Sequence, residues 1–257
     1  MIRFSIIIPS YNCEKWITKT LNSIFSQTFT DYEIIIVDDM SSDNSVNIIQ
    51  ETIKGHDNAK LFINKTKRYS GGTRNVGISE ASGEYILFID CDDWLIDDHV
   101  LEDINNKLDN VDVMYLGFEM LQDSRITENR VLEVYEKQDA LELIFPAPWL
   151  RVAKRELYLK AMFPEGTMYE DKIQNIYLAL TANSFSSLGR ATHLWNRDNP
   201  QATTFNPKWG MYKFEYCGEL YRLIKENENG EYVWYLKKEL NAYCKSLQKD
   251  IMEVMKW

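Results

Sequence analysis

Three acidic residues follow directly on a short apolar segment. Residues 85–93 are Tyr-Ile-Leu-Phe-Ile-Asp-Cys-Asp-Asp, so a segment typical of a buried strand ends in Asp90, Asp92 and Asp93. Two carboxylates about 5 Å apart, at an effective dielectric constant of about 20, repel each other by roughly 3 kcal/mol. A divalent cation would offset that repulsion. The Asp-x-Asp pair therefore predicts a cation site, whereas Asp93 alone fits a helix cap or a turn equally well.

Two further residues near predicted strand ends could recognise a nucleotide. Asp39 follows Ile-Ile-Ile-Val-Asp, and its carboxylate could accept hydrogen bonds from the imide N–H of uracil or from ribose hydroxyls. A single Asp at this place more often forms a turn or caps a helix. Tyr11, just after Pro9, could stack on a flat base, although an isolated Tyr more often belongs to the core.

The segment from Ser70 to Asn75 joins two glycines to the start of a predicted helix. Backbone N–H groups of this loop and the guanidinium of Arg74 could together face a diphosphate. The alternative is an ordinary Gly-Gly turn, with Arg74 as a surface cation.

Glu170 and Asp171 lie at the N-terminal end of another predicted helix, where the helix dipole stabilises negative charge. Capping explains one of them. The other could act as a general base on an attacking hydroxyl, which contributes on the order of 10² to 10⁴ in rate. Trp149 fits either a core residue or a platform for stacking a sugar. The segment from His193 to Pro200 fits either a mobile lid or an edge strand with its turn.

The elements that must position these residues form an α/β pattern. Buried strands of parallel character are predicted over Phe4–Ile8, Glu33–Val37, Lys60–Ile63 and Tyr85–Ile89. Helical spacing of apolar residues follows Asn12, a candidate N-cap, and again follows Ser42. In open sheets of this kind ligands bind beyond the carboxyl ends of the strands, which is where all the candidate residues of this half lie.

The second half is α+β in style. Residues 111–118 are predicted to be a strand, 123–130 a polar turn region, 137–145 a short helix and 170–182 a longer helix. Two long helices are predicted after Pro207, divided near Asn229-Gly230. We expect residues 1–110 to form an α/β half, 111–206 a second portion of the same domain, and 207–257 a helical extension.

Composition excludes several classes of protein. The 257 residues are 45% hydrophobic and carry a net charge of −10, which predicts a sizeable core and argues against a nucleic-acid partner. The four cysteines have no metal-binding or disulfide spacing, which favours a reducing compartment. No apolar run has the length needed to span a bilayer, so we expect a cytoplasmic protein, peripheral at most to the inner face of the cell membrane.

Taken together, these motifs resemble the inverting GT-A glycosyltransferases of family 2. The resemblance extends from about Phe4 to Thr204. It is carried by Ser5-Ile6-Ile7-Ile8-Pro9-Ser10-Tyr11-Asn12, Ser26-Gln27-Thr28, Glu33 to Asp39 with Ser41-Ser42-Asp43, Arg74-Asn75-x-Gly77, Gly83 to Asp93, and Phe163-Pro164-Glu165-Gly166 with Glu170-Asp171. Several motifs in the right order are more specific than any one of them.

The resemblance implies a Rossmann-like, mostly parallel sheet flanked by helices, and transfer of a sugar from a nucleotide-diphosphate donor such as a UDP-sugar. It assigns nucleotide-sugar binding to residues 1–110 and acceptor binding with the catalytic base to residues 111–206. The acceptor would be a carbohydrate, a lipid-linked glycan or a protein-linked glycan of the cell surface. The implied roles are donor binding for Pro9, Tyr11, Asn12, Asp39, Arg74, Asp90 and Asp92, with Mn²⁺ or Mg²⁺ on Asp92, acceptor binding for Trp149, Arg151 and Glu170, and the catalytic base for Asp171.

Departures from the family pattern qualify this picture. Met40 stands where the family usually has Gly, which could tighten the turn but leaves Asp38 and Asp39 in place. Arg151 stands where the family usually has Lys, which suggests an altered acceptor side. The Gln-x-x-Arg-Trp motif of processive members is absent from the sequence, so we expect transfer of one sugar per encounter. Aromatic and basic residues of the C-terminal helices, such as Trp209, Tyr212 and Trp234, could contact a partner enzyme or a membrane surface, but packing in the core is the favoured interpretation.

Other classes of protein fit less well. A sugar nucleotidyltransferase would carry a Gly-rich loop with an Arg after its first strand, where this chain has Pro9-Ser10-Tyr11-Asn12. A phosphatase with a nucleophilic Asp-x-Asp, or a dinucleotide enzyme with Gly-x-Gly-x-x-Gly, would carry its motif at the same place. A non-catalytic partner subunit of another glycosyltransferase remains an alternative, and Glu170-Asp171 distinguishes it, since such a subunit does not need a base.

Overall fold

A computed structural model describes residues 2–143, 147–165, 170–200, 213–227 and 230–254. The strands in these ranges are β1 (Phe4–Ser10), β2 (Tyr32–Asp38), β3 (Ala59–Ile63), β4 (Tyr85–Phe88), β5 (Trp94–Leu95), β6 (Val113–Gln122), β7 (Arg125–Arg130), β8 (Arg151–Lys154) and β9 (Phe185–Asn196). The helices are α1 (Ile17–Phe25), α2 (Ser45–Thr52), α3 (Tyr69–Glu80), α4 (Val100–Lys107), α5 (Lys137–Leu141), α6 (Arg155–Lys160), α7 (Glu170–Thr181), α8 (Lys213–Glu226) and α9 (Val233–Val254).

All nine strands belong to one sheet, in the order β3-β2-β1-β4-β8-β6-β9-β5, with β7 added beside β6. The first four are parallel, and Ile7 at the centre lies opposite Ile35 on one side and Phe88 on the other. β8 runs antiparallel to both β4 and β6, while β6 and β9 are parallel. The predicted α/β sheet is confirmed. Its first four strands are parallel as expected, whereas the part formed by β8, β6, β7, β9 and β5 is mixed.

Apolar side chains cover both faces of this sheet, as the continuous Ile-rich strands predict. One face buries Ile7, Ile35 and Phe88 in a core that continues into α7, α8 and α9. The other face buries Ile6 and Ile8 beneath α1, α2 and α4. Because successive side chains of a strand point to opposite faces, β1 contributes to both cores and is fixed in register.

The two predicted C-terminal helices are present as α8 and α9. Tyr216, Leu220, Tyr235 and Leu236 are buried in the same core as the sheet residues, which agrees with core packing. Trp234 is 44% exposed, and Trp209 and Tyr212 lie outside the described residues. In the described part of the chain, no helix combines the length and the apolar character that crossing a membrane requires.

Three local predictions are wrong. Asn12 does not cap α1, which starts at Ile17. Residues 125–130, predicted as part of a polar turn region, form the exposed strand β7 beside β6 after a turn at Asp123 and Ser124. The helix predicted over 137–145 ends at Leu141, and residues 144 and 145 lie outside the described residues.

Candidate active site

The candidate donor residues meet at one edge of the sheet. Parallel strands β1, β2 and β4 end side by side there, because Ser10 is paired with Asp38 and Ile7 with Phe88. The segments that follow these strands carry Tyr11, Asp39 and the Asp90 to Asp93 run. The sequence prediction that these segments face one region therefore follows from the register.

Asp92 and Asp93, which follow β4, have different environments. Asp92 is half-buried, and its Oδ2 accepts a hydrogen bond of 2.7 Å from Nδ2 of Asn199. Burial, with a contribution from the negative charge of Asp90, raises the pKa of Asp92 to about 6. Asp93 is 1% exposed and accepts a hydrogen bond of 2.7 Å from the backbone N–H of Asn196, so it fixes the end of β9. Burial raises the pKa of Asp93 well above its usual range.

Sequence reasoning missed Asn199 as a residue of this site. The segment 193–200 was predicted as either a lid or an edge strand with its turn, and the structure shows β9 through Asn196 followed by a turn. His193 is fully buried, and burial lowers its pKa to about 4. The Asn-Pro turn signal was visible in the sequence, but its approach to Asp92, 107 residues away, depends on the tertiary fold.

Asp39 is almost fully buried and has several partners. Its Oδ1 accepts hydrogen bonds from Nδ2 of Asn64 at 2.9 Å and from the backbone N–H of Arg68 at 2.8 Å, and its Oδ2 accepts one from the backbone N–H of Tyr69 at 2.9 Å. The ammonium of Lys67 lies 3.3 Å from Oδ2. Asp39 therefore fixes the segment before α3, and a nucleotide N–H bound by Asp39 would have to replace one of these donors.

The backbone conformation at Met40 accounts for the Gly that is usual after the acidic pair. Its φ is +62°, in the left-handed region that favours glycine. The turn is nevertheless formed, because Asp38 accepts hydrogen bonds from both the backbone N–H and the hydroxyl of Ser41.

The segment after β1 offers an exposed ring. Tyr11 is 50% exposed, and Nζ of Lys67 lies 2.8 Å from its ring centroid. Asn12 has a φ of +49°, and its Oδ1 accepts a hydrogen bond of 2.8 Å from the backbone N–H of Ser42. Asn12 thus joins the segments after β1 and β2, while Pro9 is buried inside β1. Their predicted donor contacts remain predictions.

The predicted glycine loop is helical. Residues 70–75 lie in the first two turns of α3, so the prediction of a loop is wrong. The glycines are needed for close packing: a Cβ on Gly71 would lie 2.9 Å from the carbonyl oxygen of Pro164, and one on Gly72 would lie 3.2 Å from the carboxylate of Glu165. Helix α3 is thereby pressed against the segment that leads to α7.

Arg74 lies at the centre of this packing. It is 5% exposed, and its guanidinium lies 2.8 Å from Asp90 Oδ1 and 3.5 Å from Glu170 Oε1. Glu170, itself buried, also accepts a short hydrogen bond from the hydroxyl of Ser70. The two carboxylates come from opposite halves of the chain, so Arg74 connects the end of β4 to the start of α7.

Asp171 is half-buried in the first turn of α7. Burial and the neighbouring charge of Glu170 raise its pKa to about 7, against the opposing effect of the Arg74 and Arg151 cations. Its Oδ1 accepts a hydrogen bond of 2.7 Å from the backbone N–H of Lys172. A carboxylate with this pKa can accept a proton from a hydroxyl at neutral pH.

The predicted acceptor residues Trp149 and Arg151 lie beneath the surface in this structure. Trp149 is 2% exposed and packs with the rings of Phe118 at 5.5 Å and His193 at 5.6 Å. Arg151 is fully buried, and its guanidinium donates to the carbonyl oxygen of Ala147 and to the side chain of Gln174. The core interpretation of Trp149 describes its present surroundings, and acceptor contact by either residue remains a prediction.

A divalent cation fits Asp92 in one specific way. Within the described ranges, no three His, Cys, Asp or Glu side chains converge on one point, so an all-protein cage is not present there. Mg²⁺ in nucleotide sites is usually held by one or two carboxylates together with substrate phosphates and water. Burial and the neighbouring Asp90 both disfavour the ionised form of Asp92 and raise its pKa to about 6, and a bound cation would offset both effects.

Parallel strands β1 to β4, continued by the mixed strands β8, β6 and β9 and carrying acids at their carboxyl ends, define the GT-A fold of glycosyltransferases. The sequence of residues 5–168 matches the family described as Glycosyl transferase family 2. That match covers more than half of the chain. The chain belongs to this family, and the resemblance seen in the sequence is confirmed.

Relatives span different shares of this chain. An uncharacterized glycosyltransferase of Haemophilus influenzae is 28% identical over 240 residues, 88% of this chain and 95% of the relative. The poly(ribitol-phosphate) beta-N-acetylglucosaminyltransferase TarS of Staphylococcus aureus is 40% identical over 100 residues, 37% of this chain but 17% of TarS. This chain therefore corresponds to a small part of TarS and to almost the whole of the H. influenzae protein.

Solved structures agree on the fold. TarS residues 1–349 in complex with UDP-GlcNAc superposes with a TM-score of 0.73 at 24% identity, covering 85% of this chain and 66% of that one. The mannosyltransferase PcManGT of Pyrobaculum calidifontis, in complex with GDP-Man and Mn²⁺, superposes with a TM-score of 0.61 at 15% identity, covering 96% of this chain and 75% of that one.

Proposed function

We propose that this glycosyltransferase moves a sugar from a nucleotide-diphosphate sugar, a UDP-sugar in the first instance, to an acceptor hydroxyl with inversion at the anomeric carbon. One observation carries the proposal: acids from both halves of the chain meet at one sheet edge, where Arg74 connects Asp90 to Glu170 beside Asp171. Family membership and the UDP-GlcNAc bound by TarS support the donor class.

The donor would bind across the ends of β1, β2 and β4. Tyr11 offers an exposed ring for stacking a base. Asp39 would accept an N–H of the base in exchange for one of its present donors, such as Asn64. Asp92 would hold Mn²⁺ or Mg²⁺, which when bound neutralises charge on the departing diphosphate. The Mn²⁺ bound by PcManGT, a protein of the same fold, supports this assignment.

Asp171 would act as the base on the acceptor side. Its carboxylate takes the proton of the acceptor hydroxyl, while that oxygen attacks the anomeric carbon from the face opposite the diphosphate. The bond from the anomeric carbon to the diphosphate oxygen breaks in the same displacement, so the configuration inverts once. A pKa of about 7 leaves Asp171 both ionised and basic near neutral pH, which is the condition for efficient proton transfer.

The acceptor would be a carbohydrate or a lipid-linked or protein-linked glycan used in cell-surface polysaccharide or glycoconjugate synthesis, on the cytoplasmic side. The name of TarS records poly(ribitol-phosphate) as its acceptor, which supports a polymeric acceptor. Trp234 of α9 is exposed and would contact a partner enzyme or a membrane surface. The alternative of a non-catalytic subunit is not favoured, because Asp171 has the properties of a base.

A panel of UDP- and GDP-sugars with Mn²⁺ tests the proposal, with release of the nucleotide as the signal. We expect one or a few donors to be turned over by the wild type and by Asp57→Asn, which changes an exposed acid elsewhere. Asp171→Asn should lose about 10² to 10⁴ in rate while still binding the donor. Full turnover by Asp171→Asn would overturn the base assignment, and a wild type that neither binds nor cleaves any donor would overturn the proposed function.

A further inference from the structure

The guanidinium of Arg74 is enclosed by protein groups. Besides the contacts to Asp90 and Glu170, its charge lies over the ring of Phe163, 5.5 Å from the centroid. With 5% of the residue exposed, little of this side chain is available to a ligand. This arrangement differs from the direct diphosphate contact that the sequence pattern implies.

The rest of the same helix face also holds the acceptor half. Nδ2 of Asn75 donates to the carbonyl oxygen of Phe163 at 2.8 Å, and the backbone N–H of Phe163 donates to Oδ1 of Asn75 at 2.9 Å. Ser70 donates to Glu170 one turn earlier. These contacts fix the chain on both sides of residues 164–169, so α3 serves as the surface on which the start of α7 is mounted.

We propose that Arg74 is a positioning residue, which holds the carboxylates of Asp90 and Glu170 at a fixed separation and thereby aligns Asp171 with the donor, without touching the diphosphate. This inference rests on the proposed function, since it assigns Asp90 to the donor and Asp171 to the acceptor. A guanidinium suits this role, because its planar group can bridge two carboxylates in a fixed geometry, whereas an ammonium acts as a point charge.

The charge of Arg74 has a second effect on the base. Asp171 is faced by the negative charge of Glu170 and by the cations of Arg74 and Arg151, and the backbone N–H of Lys172 donates to it. Removing the positive charge of Arg74 leaves Glu170 less compensated. Ionisation of Asp171 then becomes harder, and the acid limb of the rate profile moves to higher pH.

A double-mutant cycle on the full chain tests the positioning role. We expect Arg74→Gln and Glu170→Gln each to lower kcat by about 10- to 100-fold, and the double variant to lose no more than the worse single one, since both remove one connection. Arg190→Gln is the matched control: it removes an arginine that bridges Asp97 and Asp103, at 2.7 Å each, on a different part of the surface. Losses that multiply in the double variant would overturn the inference.

Affinities for UMP and UDP, measured with Mn²⁺, separate positioning from phosphate binding. If Arg74 only positions, Arg74→Gln weakens both nucleotides by a similar factor, and the acid limb of kcat moves up in Arg74→Gln but stays in place in Arg74→Lys. A selective loss of UDP affinity of about tenfold or more, with UMP unchanged, would show a direct diphosphate contact and overturn the inference.

Melting temperatures of the wild type, the two single variants and the double variant measure the coupling between Arg74 and Glu170 without any nucleotide. Coupling between Arg74 and Glu170 in melting, together with a wild type that binds neither UMP nor UDP, would contradict the proposed function and leave only a structural bridge. A wild type that binds and turns over a donor, with no coupling in kcat or in melting, would contradict the Arg74 inference alone. If Arg74→Gln does not fold, Arg74→Met, which also removes the charge but keeps an apolar side chain, replaces it in the cycle.

Discussion

Lowering the pH from 8 to 6 should slow the chemical step about tenfold. Asp171 must be ionised to accept a proton, and its pKa is about 7. About nine-tenths of the enzyme then carries an ionised base at pH 8 and about one-tenth at pH 6, so kcat should fall roughly tenfold. The pKa of Asp171 is raised because burial and the negative charge of Glu170 both disfavour its ionised form, so activity is lost on the acid side.

The assay measures kcat at saturating donor, acceptor and Mn²⁺ across pH 5.5 to 8.5. Saturating metal is needed because Asp92, with a pKa of about 6, would otherwise lose its charge over part of the same range. Asp57→Asn should reproduce the wild-type curve, since Asp57 is exposed and precedes β3, at the end of the parallel strands opposite the candidate site. The residual rate of Asp171→Asn should lack the acid limb.

A kcat that is constant from pH 6 to 8, under conditions in which the chemical step limits the rate, would refute this reasoning. An acid limb of the same midpoint in Asp171→Asn would also refute it, because the titrating group would then be a different one.

Four further results are expected. Asp171→Asn should melt higher than the wild type at pH 8, and the difference should shrink towards pH 5. The pKa of Asp171 is about 7 in the folded protein but about 4 when unfolded, so the wild type loses stability as the pH rises from about 4 to about 7. Scanning fluorimetry at each pH measures this loss. Gly77→Ala should destabilise by about 1–3 kcal/mol in urea titrations, because its Cβ would lie 2.4 Å from Cγ2 of Ile7. Gly218→Ala, with nothing within 4 Å, should instead stabilise α8 by up to about 1 kcal/mol. UDP should raise the melting temperature of Asp92→Asn by the same amount with and without Mn²⁺, whereas Mn²⁺ should enlarge the UDP-dependent rise in the wild type.

Much of the sheet could be predicted from the sequence because its strands are buried on both faces. Ile6 to Ile8 and Ile34 to Val37 are apolar at successive positions, which only a doubly covered strand requires. β7 lacked any such signal: five of its six residues are polar, and most are exposed at the sheet edge. Its pairing with β6 depends on the turn at Asp123 and Ser124, where both residues have positive φ.

The candidate site was predictable in its residue types and less so in its contacts. The Asp-x-Asp run and Glu170-Asp171 could be recognised from local spacing. The contact of Asn199 with Asp92, the helical state of residues 70–75 and the burial of Arg74 could not, because each depends on partners about 16 to 107 positions away. Gly-Gly locally favours a turn, but here close packing against Pro164 favours the helix.

Calorimetric titration of UDP into the wild type and Asp92→Asn, each with and without Mn²⁺, tests the central claim most directly. The claim predicts that Mn²⁺ raises the affinity of the wild type for UDP by about tenfold or more, and that Asp92→Asn shows no such gain. Equal UDP affinities in all four titrations would contradict a cation held between Asp92 and the diphosphate.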